Sequence, residues 1–202
     1  MSKYNDTIYA LSSPPGKSAI AIIRVSGKGV LKIIKKLFPV SKKITPNKTN
    51  LFLIKHKKKP IDEIVLIYFK QPKSYTGENM IEINCHGSPV VINKISLILE
   101  GLGARLAEPG EFTKRALLNN KIDLVKTESI ADLINSETEK QMSLAIKNLT
   151  GGLSSFTKKI NEELSNILAN TEAIIDFSDE DLPKDILKSI KEQNKNIIKQ
   201  IK

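Results

Sequence analysis

Polar side chains that could bind a ligand are concentrated in residues 74–87 of a chain otherwise dominated by Lys and Ile. The pair Thr76-Gly77 predicts a tight turn, since Gly accepts positive φ without steric cost. The following residues alternate as in a strand, so Ile81 and Ile83 point toward a core and Glu82 points away from it. A carboxylate held in this way can accept two parallel hydrogen bonds from an amidine-like donor pair, such as the ring N–H and 2-amino group of a pterin or guanine. The same position is equally compatible with solvated surface.

Cationic side chains elsewhere in the chain could complete such a site. Arg24 lies near the end of an apolar strand predicted over residues 19–25, and Arg115, Asn119 and Lys121 surround the end of a predicted helix. The nearly continuous apolar run predicts a strand buried on both faces. A cation at the end of such a strand needs a partner or a ligand, because burying it alone costs several kcal/mol. Pairing with a carboxylate at the edge of the core, or snorkelling to solvent, would satisfy Arg24 equally well.

Other kinds of catalytic chemistry are poorly supported. Cys85 and His86 are neighbours on a predicted strand, so their side chains diverge and form no dyad, and a buried, reduced thiol explains Cys85 better. The segment Gly16-Lys17-Ser18 is similar to the tail of a phosphate-binding loop, but Leu11 stands where that motif requires Gly. Two His and one Cys in the whole chain disfavour a zinc site.

The formal net charge of +10 suggests a nucleic-acid partner, but the kind of basic residue weakens this interpretation. Only three of the 32 basic residues are Arg, which indicates that Lys serves as a general solvated residue. The Lys-rich run 56–60 is predicted to be a charged loop between strands, with a phosphate-contacting patch as the alternative. The chain has no long apolar run and a single Cys, so we expect no membrane segment and a reducing, cytoplasmic location.

Hydrophobic periodicity predicts an α+β first part followed by helices alone. Strands are expected at 6–11, 19–25, 51–54, 61–69, 79–87 and 104–107, and helices at 28–38, 89–100 and 109–118. From Asp123 onward, apolar residues recur only at helical spacing, which predicts packing against other helices or a partner. We therefore expect one domain over residues 1–119 and a second over 120–202. The last helix reaches Lys202 without a cap, so the chain is expected to stop before a further domain.

An ordered set of motifs that covers nearly all 202 residues resembles the MnmE (TrmE) family of tRNA-modification GTPases. The motifs are Asp6-Thr7-Ile8, Pro14-Pro15-Gly16, Ile23-Arg24-Val25-Ser26-Gly27, Tyr75-Thr76-Gly77-Glu78, His86-Gly87, Pro109-Gly110-Glu111-Phe112-Thr113-Lys114-Arg115-Ala116, Asn119-x-Lys121-x-Asp123-Leu124 and Ala173-Ile174-Ile175-Asp176-Phe177. Each is weak alone, but their order and spacing are specific. The resemblance implies a mixed α/β folate-binding domain similar to that of the glycine-cleavage T-protein, followed by the first part of an all-α domain into which a GTPase domain is inserted.

The resemblance also implies a function. The family's first domain forms a homodimer and binds a one-carbon tetrahydrofolate, the 5-formyl or 5,10-methylene form, through contacts that fall on Arg24, Glu82 and Lys121. With the flavoprotein MnmG (GidA), the family uses that folate as the one-carbon donor to place a carboxymethylaminomethyl group on C5 of the wobble uridine (U34) of certain tRNAs. No catalytic residue and no metal ligand is expected in these 202 residues.

Two departures from the family pattern matter. The motifs of the GTPase domain are absent from these residues, so GTP hydrolysis, with its Mg²⁺ and K⁺, is expected of the full-length family member and not of this chain. Asn79 stands where the family commonly has Asp, a near-isosteric change expected to disturb little. Two alternatives stay open, a stand-alone folate-dependent one-carbon transferase and a non-catalytic helical module whose Lys-rich face meets RNA.

Overall fold

The computed structural model describes residues 5–38, 44–57, 59–176 and 186–201 and divides into two compact units. The first unit ends at Asp123 and the second begins at Leu124. The first unit combines a sheet with helices, and the described residues of the second are helical. This organisation confirms the predicted α+β fold class, with a mixed α/β domain preceding an all-α one.

A six-stranded sheet in the order β3-β4-β5-β2-β1-β6 forms the centre of the first unit. The strands are β1 (Thr7–Leu11), β2 (Ser18–Gly27), β3 (Thr49–His56), β4 (Lys59–Phe69), β5 (Met80–Gly87) and β6 (Ala104–Leu106). All neighbouring strands are antiparallel except β1 and β6, which are parallel. β6 therefore runs in the same direction as β5, and the helix that joins these two strands makes the crossover between them.

Two helices, α1 (Val30–Leu37) and α2 (Pro89–Gly101), cover one face of this sheet. Pro89 suits the first turn of α2, where its missing N–H would have no helical partner. The core between helices and sheet collects every second residue of the strands, including Ile23 of β2 and Ile83 of β5. The alternation predicted for β5 is thus confirmed. A third helix, α3 (Glu111–Leu118), follows β6.

The second face of the sheet differs from the prediction for β2. The strand is buried on the helix-covered face, but Ile20 on the other face is 63% exposed. Leu51 and Leu53 of β3, on that same open face, are 55% and 51% exposed. The expectation that β2 is buried on both faces is therefore wrong. An apolar run indicates only that its residues favour burial. In the described residues of the first unit, part of this sheet face is nevertheless open to solvent.

The charged loop predicted at residues 56–60 is shorter than expected. β3 extends to His56 and β4 begins at Lys59, and these two residues are paired in the ladder. The side chains of His56, Lys57 and Lys59 are exposed, and Lys58 lies outside the described residues.

Four helices make up the described part of the second unit: α4 (Leu124–Ile134), α5 (Glu139–Leu149), α6 (Gly152–Asp176) and α7 (Ile186–Ile201). Thr138 and Gln141 form a capping box that fixes the start of α5. Ile160 and Ile167 of α6 pack with Ile197 of α7 in a small core. Among the helices that the structure describes, none combines the length and apolar character needed to span a membrane.

Candidate functional site

Arg24 and Glu82 form an ion pair on the open face of the sheet. They are direct cross-strand partners in the β2–β5 ladder, and the Arg24 Nε donates to the Glu82 Oε1 over 2.7 Å. The side chains are 35% and 17% exposed, so solvent reaches both. The other guanidinium nitrogens of Arg24 and the Oε2 of Glu82 make no hydrogen bond to any described residue, which leaves capacity for a ligand.

Tyr75 stands beside this pair. The Arg24 Cζ lies 5.8 Å from the centroid of the Tyr75 ring, within the range of a cation–π contact. The Tyr75 hydroxyl is hydrogen-bonded to the Thr113 Oγ1 of α3 at 2.9 Å. Tyr75 thus links the ion pair to α3. Sequence reasoning missed this residue, although its place in the Tyr75-Thr76-Gly77-Glu78 motif was a signal that could have found it.

Lys121, just after the end of α3, lies against the turn formed by residues 74–78, which carries Tyr75. The helix ends in a Schellman arrangement, in which the amide of Asn120 donates to the Leu117 carbonyl and that of Lys121 to the Ala116 carbonyl. Asn120 adopts the left-handed conformation (φ 55°) that this motif requires at its position. The chain is redirected so that the Lys121 stem passes over Gly77.

Gly77 is needed where Lys121 crosses the turn. Its φ of 78° favours Gly, and a Cβ there would lie 3.0 Å from the Lys121 Cγ and 3.2 Å from the Asn119 Cβ. The Asn119 side-chain amide also donates to the Thr76 carbonyl over 2.7 Å. The structure therefore brings Arg24 and Glu82 into direct contact and joins Lys121 to them through the 74–78 turn.

Glu78, at the end of the turn, belongs to a group of five charged residues that we call the Arg115 cluster: Asp6, Glu78, Arg105, Glu111 and Arg115. Arg115 has no exposed surface and bonds to the Glu111 Oε1 at 2.8 Å, the Asp6 Oδ1 at 2.8 Å and the Glu78 Oε2 at 3.3 Å. Arg105 forms a two-pronged pair with Glu111, with distances of 2.8 and 2.6 Å, and also binds Asp6. Arg115, which the sequence placed among candidate ligand contacts, is thus bonded to three carboxylates of the first unit, of which those of Glu78 and Glu111 are buried.

Two acidic members of the cluster, Glu111 and Asp6, have pKa values below their ordinary values. Hydrogen bonds from Arg105 and Arg115 outweigh burial and lower the pKa of Glu111 to about 2. Burial opposes the ionised form of Asp6, but hydrogen bonds from Arg115 and Arg105 still lower the pKa of that carboxyl below its ordinary value. Burial opposes the charged form of Arg115, but its hydrogen bonds to Glu111 and Asp6 raise the pKa of the guanidinium above its ordinary value. The two arginines therefore favour the ionised forms of Glu111 and Asp6.

Cys85 and His86, at the far end of β5, have separate environments. Burial raises the pKa of the Cys85 thiol to about 11, which makes it a protonated core side chain, as the sequence predicts. The His86 Nδ1 lies 2.7 Å from the Asp62 Oδ1, and the His86 amide donates to the Asp62 Oδ2. A cavity of about 180 Å³ beside them extends along the open face, lined by Ile20, Val65 and Asn84 among others.

Chemically, the arrangement suits a flat, hydrogen-bonding ligand. Carboxylate oxygens hold about four acceptor sites in total, so Glu82 can keep its bond to Arg24 while accepting a pair of N–H donors. The half-buried Ile22 and Ile67 lie on the same face, next to Arg24 and Glu82, and can support an aromatic ring. The described residues contain no group of three or more His, Cys, Asp or Glu arranged to hold a metal ion.

Two family models match the chain, one after the other. The model for the GTP-binding protein TrmE N-terminus matches residues 7–121, and the model for the MnmE helical domain matches residues 124–202. The first alone covers more than half of the chain, and its range includes Arg24, Glu82 and Lys121.

Curated relatives give the same result. The chain is 45% identical over 175 residues to the tRNA modification GTPase MnmE of Thermotoga petrophila, 49% over 187 residues to that of Fervidobacterium nodosum and 47% over 201 residues to that of Pelagibacter ubique. These alignments cover 87%, 89% and 97% of the chain, but only 39%, 40% and 45% of the relatives. The chain therefore spans about two fifths of the length of the curated relatives it matches.

Proposed function

The chain belongs to the MnmE (TrmE) family of tRNA modification GTPases, and on that premise we propose that its first unit binds a one-carbon tetrahydrofolate, in the 5-formyl or 5,10-methylene form. The observation that carries this proposal is the Arg24–Glu82 pair, a half-buried but solvent-accessible ion pair with unused hydrogen-bonding capacity on an open sheet face. Glu82 accepts the ring N–H and 2-amino group of the pterin, and Arg24 and Lys121 contact the ligand as cations. When bound, the folate supplies the one-carbon unit.

The fit of this ligand is supported by the surroundings of the pair. Glu82 retains acceptor sites beyond its bond to Arg24, and the neighbouring Tyr75 ring and half-buried Ile22 and Ile67 offer apolar contact to a pterin. Lys121 approaches across Gly77, where a side chain would obstruct it.

At the level of the whole protein, we propose that this chain is the folate-binding part of a GTPase that acts with the flavoprotein MnmG to modify the wobble uridine of tRNA in the cytoplasm. Support comes from relatives that are named tRNA modification GTPases. GTP, Mg²⁺ and K⁺ belong to the GTPase domain that this family carries and these residues lack.

Titration calorimetry with 5-formyl-tetrahydrofolate tests the binding proposal on the 202-residue chain. Glu82→Ala is expected to weaken binding about a hundredfold, because it removes two charge-assisted hydrogen bonds worth roughly 1.5 kcal/mol each. Glu63→Ala removes an exposed carboxylate from β4 and is the matched control, with an unchanged affinity. Equal binding by wild type and Glu82→Ala would remove Glu82 from the site, and no binding by wild type would refute the folate proposal.

We also propose that the first unit forms a homodimer through its open sheet face. The face carries Leu51, Leu53 and Ile20, each more than half exposed, and apolar surface of this kind is typical of a covered interface. Sedimentation velocity tests this. Leu53→Glu is expected to yield monomers, whereas Leu31→Glu, at a 45% exposed leucine on α1, is expected to leave the dimer intact. A wild-type monomer, or a Leu53→Glu dimer, would contradict this interface.

A further inference from the structure

The 74–78 turn holds the parts of the candidate site together. It carries Tyr75, which contacts Arg24, and Gly77, over which Lys121 passes. Residues 74–78 form neither helix nor strand, so the conformation of the turn depends on the groups that are hydrogen-bonded to it. Any displacement of the turn would move the Tyr75 ring and the Lys121 stem relative to the Glu82 carboxylate, which is fixed on β5.

Buried polar groups bond to the turn at several points. The Ser74 Oγ donates to the Glu78 carbonyl across the turn, and the Thr76 Oγ1 is hydrogen-bonded to the Ser26 Oγ of β2 at 2.7 Å. The Ser26 Oγ also donates to the Glu78 Oε2 at 2.8 Å, and the same oxygen receives the Arg115 Nη1 at 3.3 Å. Ser26, Thr76 and Arg115 have no exposed surface, and Glu78 is 2% exposed. The turn is therefore tied to β2 and α3 through the Glu78 carboxylate.

From this arrangement we infer that Glu78, Glu111 and Arg115 are positioning residues for the ligand site, an inference that rests on the proposed folate binding. Glu111 orients the Arg115 guanidinium, Arg115 and Ser26 fix the Glu78 carboxylate, and Glu78 sets the turn on which Tyr75 and Lys121 depend. None of the three is placed to touch the ligand. They act by holding other residues at the distances that binding requires.

The energetics of buried charge favour this role over simple stabilisation. A buried ion pair contributes little net stability compared with apolar residues of the same volume, because desolvation offsets the attraction. The directional bonds of a planar guanidinium, in contrast, specify geometry. The hypothesis therefore predicts that a subtle change in the cluster alters ligand affinity in molecules that are still folded.

Arg115→Lys and Arg105→Lys form a matched pair for the test. Both make the same chemical change within one cluster, but only Arg115 bonds to the turn, through Glu78, whereas Arg105 bonds to Asp6, Glu111 and its neighbour's carbonyl. The dissociation constant for 5-formyl-tetrahydrofolate is measured by calorimetry at 10 °C on the 202-residue chain. Urea unfolding measures the stability of each variant, and circular dichroism verifies that each is folded at that temperature.

We expect Arg115→Lys to raise the dissociation constant at least tenfold at an unchanged stoichiometry, and Arg105→Lys to lower stability with less than a twofold change in affinity. If Arg115→Lys does not fold, Glu78→Gln serves instead, since the uncharged amide keeps the size of the side chain but weakens the charge-assisted bonds from Ser26 and Arg115, and a three- to tenfold loss is expected. Wild-type affinity in Arg115→Lys or, in its place, in Glu78→Gln would overturn this inference alone. A wild-type protein that does not bind the folate would overturn the proposed function and this inference with it.

Discussion

Two arginines of the first unit bond to glutamates in opposite surroundings. Arg115 is fully buried and bonds to three acidic residues, whereas Arg24 is 35% exposed and gives one hydrogen bond to Glu82. The pairing chemistry is the same in both places, but the number of partners and the access of water differ. The Arg115 cluster has the character of a structural element. The Arg24–Glu82 pair keeps acceptors and donors that a ligand can use.

Burial and the number of partners thus distinguish a charged group with a structural role from one that can bind a ligand. Removing one member of a buried network leaves its partners charged and away from water, while removing one member of an exposed pair returns the other to solvent. Equivalent substitutions should therefore lower stability more in the Arg115 cluster than in the Arg24–Glu82 pair. They should weaken ligand binding more in the Arg24–Glu82 pair than in the Arg115 cluster.

The largest difference is expected for Arg→Met substitutions. Arg115→Met removes a buried cation that bonds to Glu78 and Glu111 and should lower the free energy of unfolding by about 3–5 kcal/mol. Arg24→Met changes an exposed pair and should lower it by less than about 1 kcal/mol. Urea denaturation at pH 7 measures both. A loss at Arg115 no greater than that at Arg24 would show that burial does not separate the two regions.

A second difference should appear at low pH. The folded pKa of Glu111, about 2, is below its ordinary value of 4.5, so the stabilisation is complete above about pH 4.5 and is lost as the pH falls toward 2. This amounts to on the order of 3 kcal/mol. Asp6, whose pKa is also lowered, adds in the same direction.

Glu111→Gln should consequently flatten the acid limb of a plot of unfolding free energy against pH. The exposed Glu108, three residues earlier, provides the control, and Glu108→Gln should keep the wild-type slope. A wild-type slope in Glu111→Gln would mean that the Arg115 cluster is not what makes the protein sensitive to acid.

The two regions also differ in how far the sequence predicted them. Alternation located β5 and its outward-facing Glu82 within one residue, because strand period is a local signal. The Arg115 cluster escaped prediction because it joins Asp6 to Arg115 and Glu78 to Arg115, over separations that no local pattern encodes. Pairing with a carboxylate was one interpretation left open for Arg24, but Glu82 could be identified as that partner only from strand order and register.

Burial of β2 was mispredicted for a related physical reason. The apolar run around Ile20 consists of residues that favour burial, but the sequence does not identify the element that would bury them. The prediction that Lys121 contacts folate came from the motif resemblance alone. The Schellman end of α3, which directs Lys121 over Gly77, depends on Asn120 adopting a left-handed conformation, which Asn permits but does not enforce.

A smaller effect is expected when the exposed pair is analysed by itself. A double-mutant cycle with Arg24→Met and Glu82→Gln should give a coupling energy below about 1 kcal/mol, and 0.5 M NaCl should reduce it further. The same single variants should nevertheless weaken folate binding strongly, because each removes a ligand contact. A coupling energy above about 2 kcal/mol would place this pair with the buried network rather than opposite it.

The smallest effect should be found for Asn79→Asp, at a residue that lies between Glu78 of the Arg115 cluster and Glu82 of the Arg24–Glu82 pair. Its Oδ1 accepts hydrogen bonds from the Tyr68 hydroxyl at 2.7 Å and from the Gln71 amide at 3.3 Å. An aspartate can accept both, so Asn79→Asp should change stability by less than about 0.5 kcal/mol at pH 7. Asn79→Leu, which keeps the size but removes the acceptor, should lose about 1–3 kcal/mol because the Tyr68 hydroxyl is left without its partner.

Urea unfolding of both variants locates the boundary between the two regions. If the low-dielectric surroundings of Glu78 extended one residue further, the added carboxylate of Asn79→Asp would repel Glu78 and cost more than 1 kcal/mol. The loss would then shrink at high salt, which a change in packing would not do. An unchanged stability would mean instead that the electrostatic character of the chain switches from buried to solvated within the single step from Glu78 to Asn79.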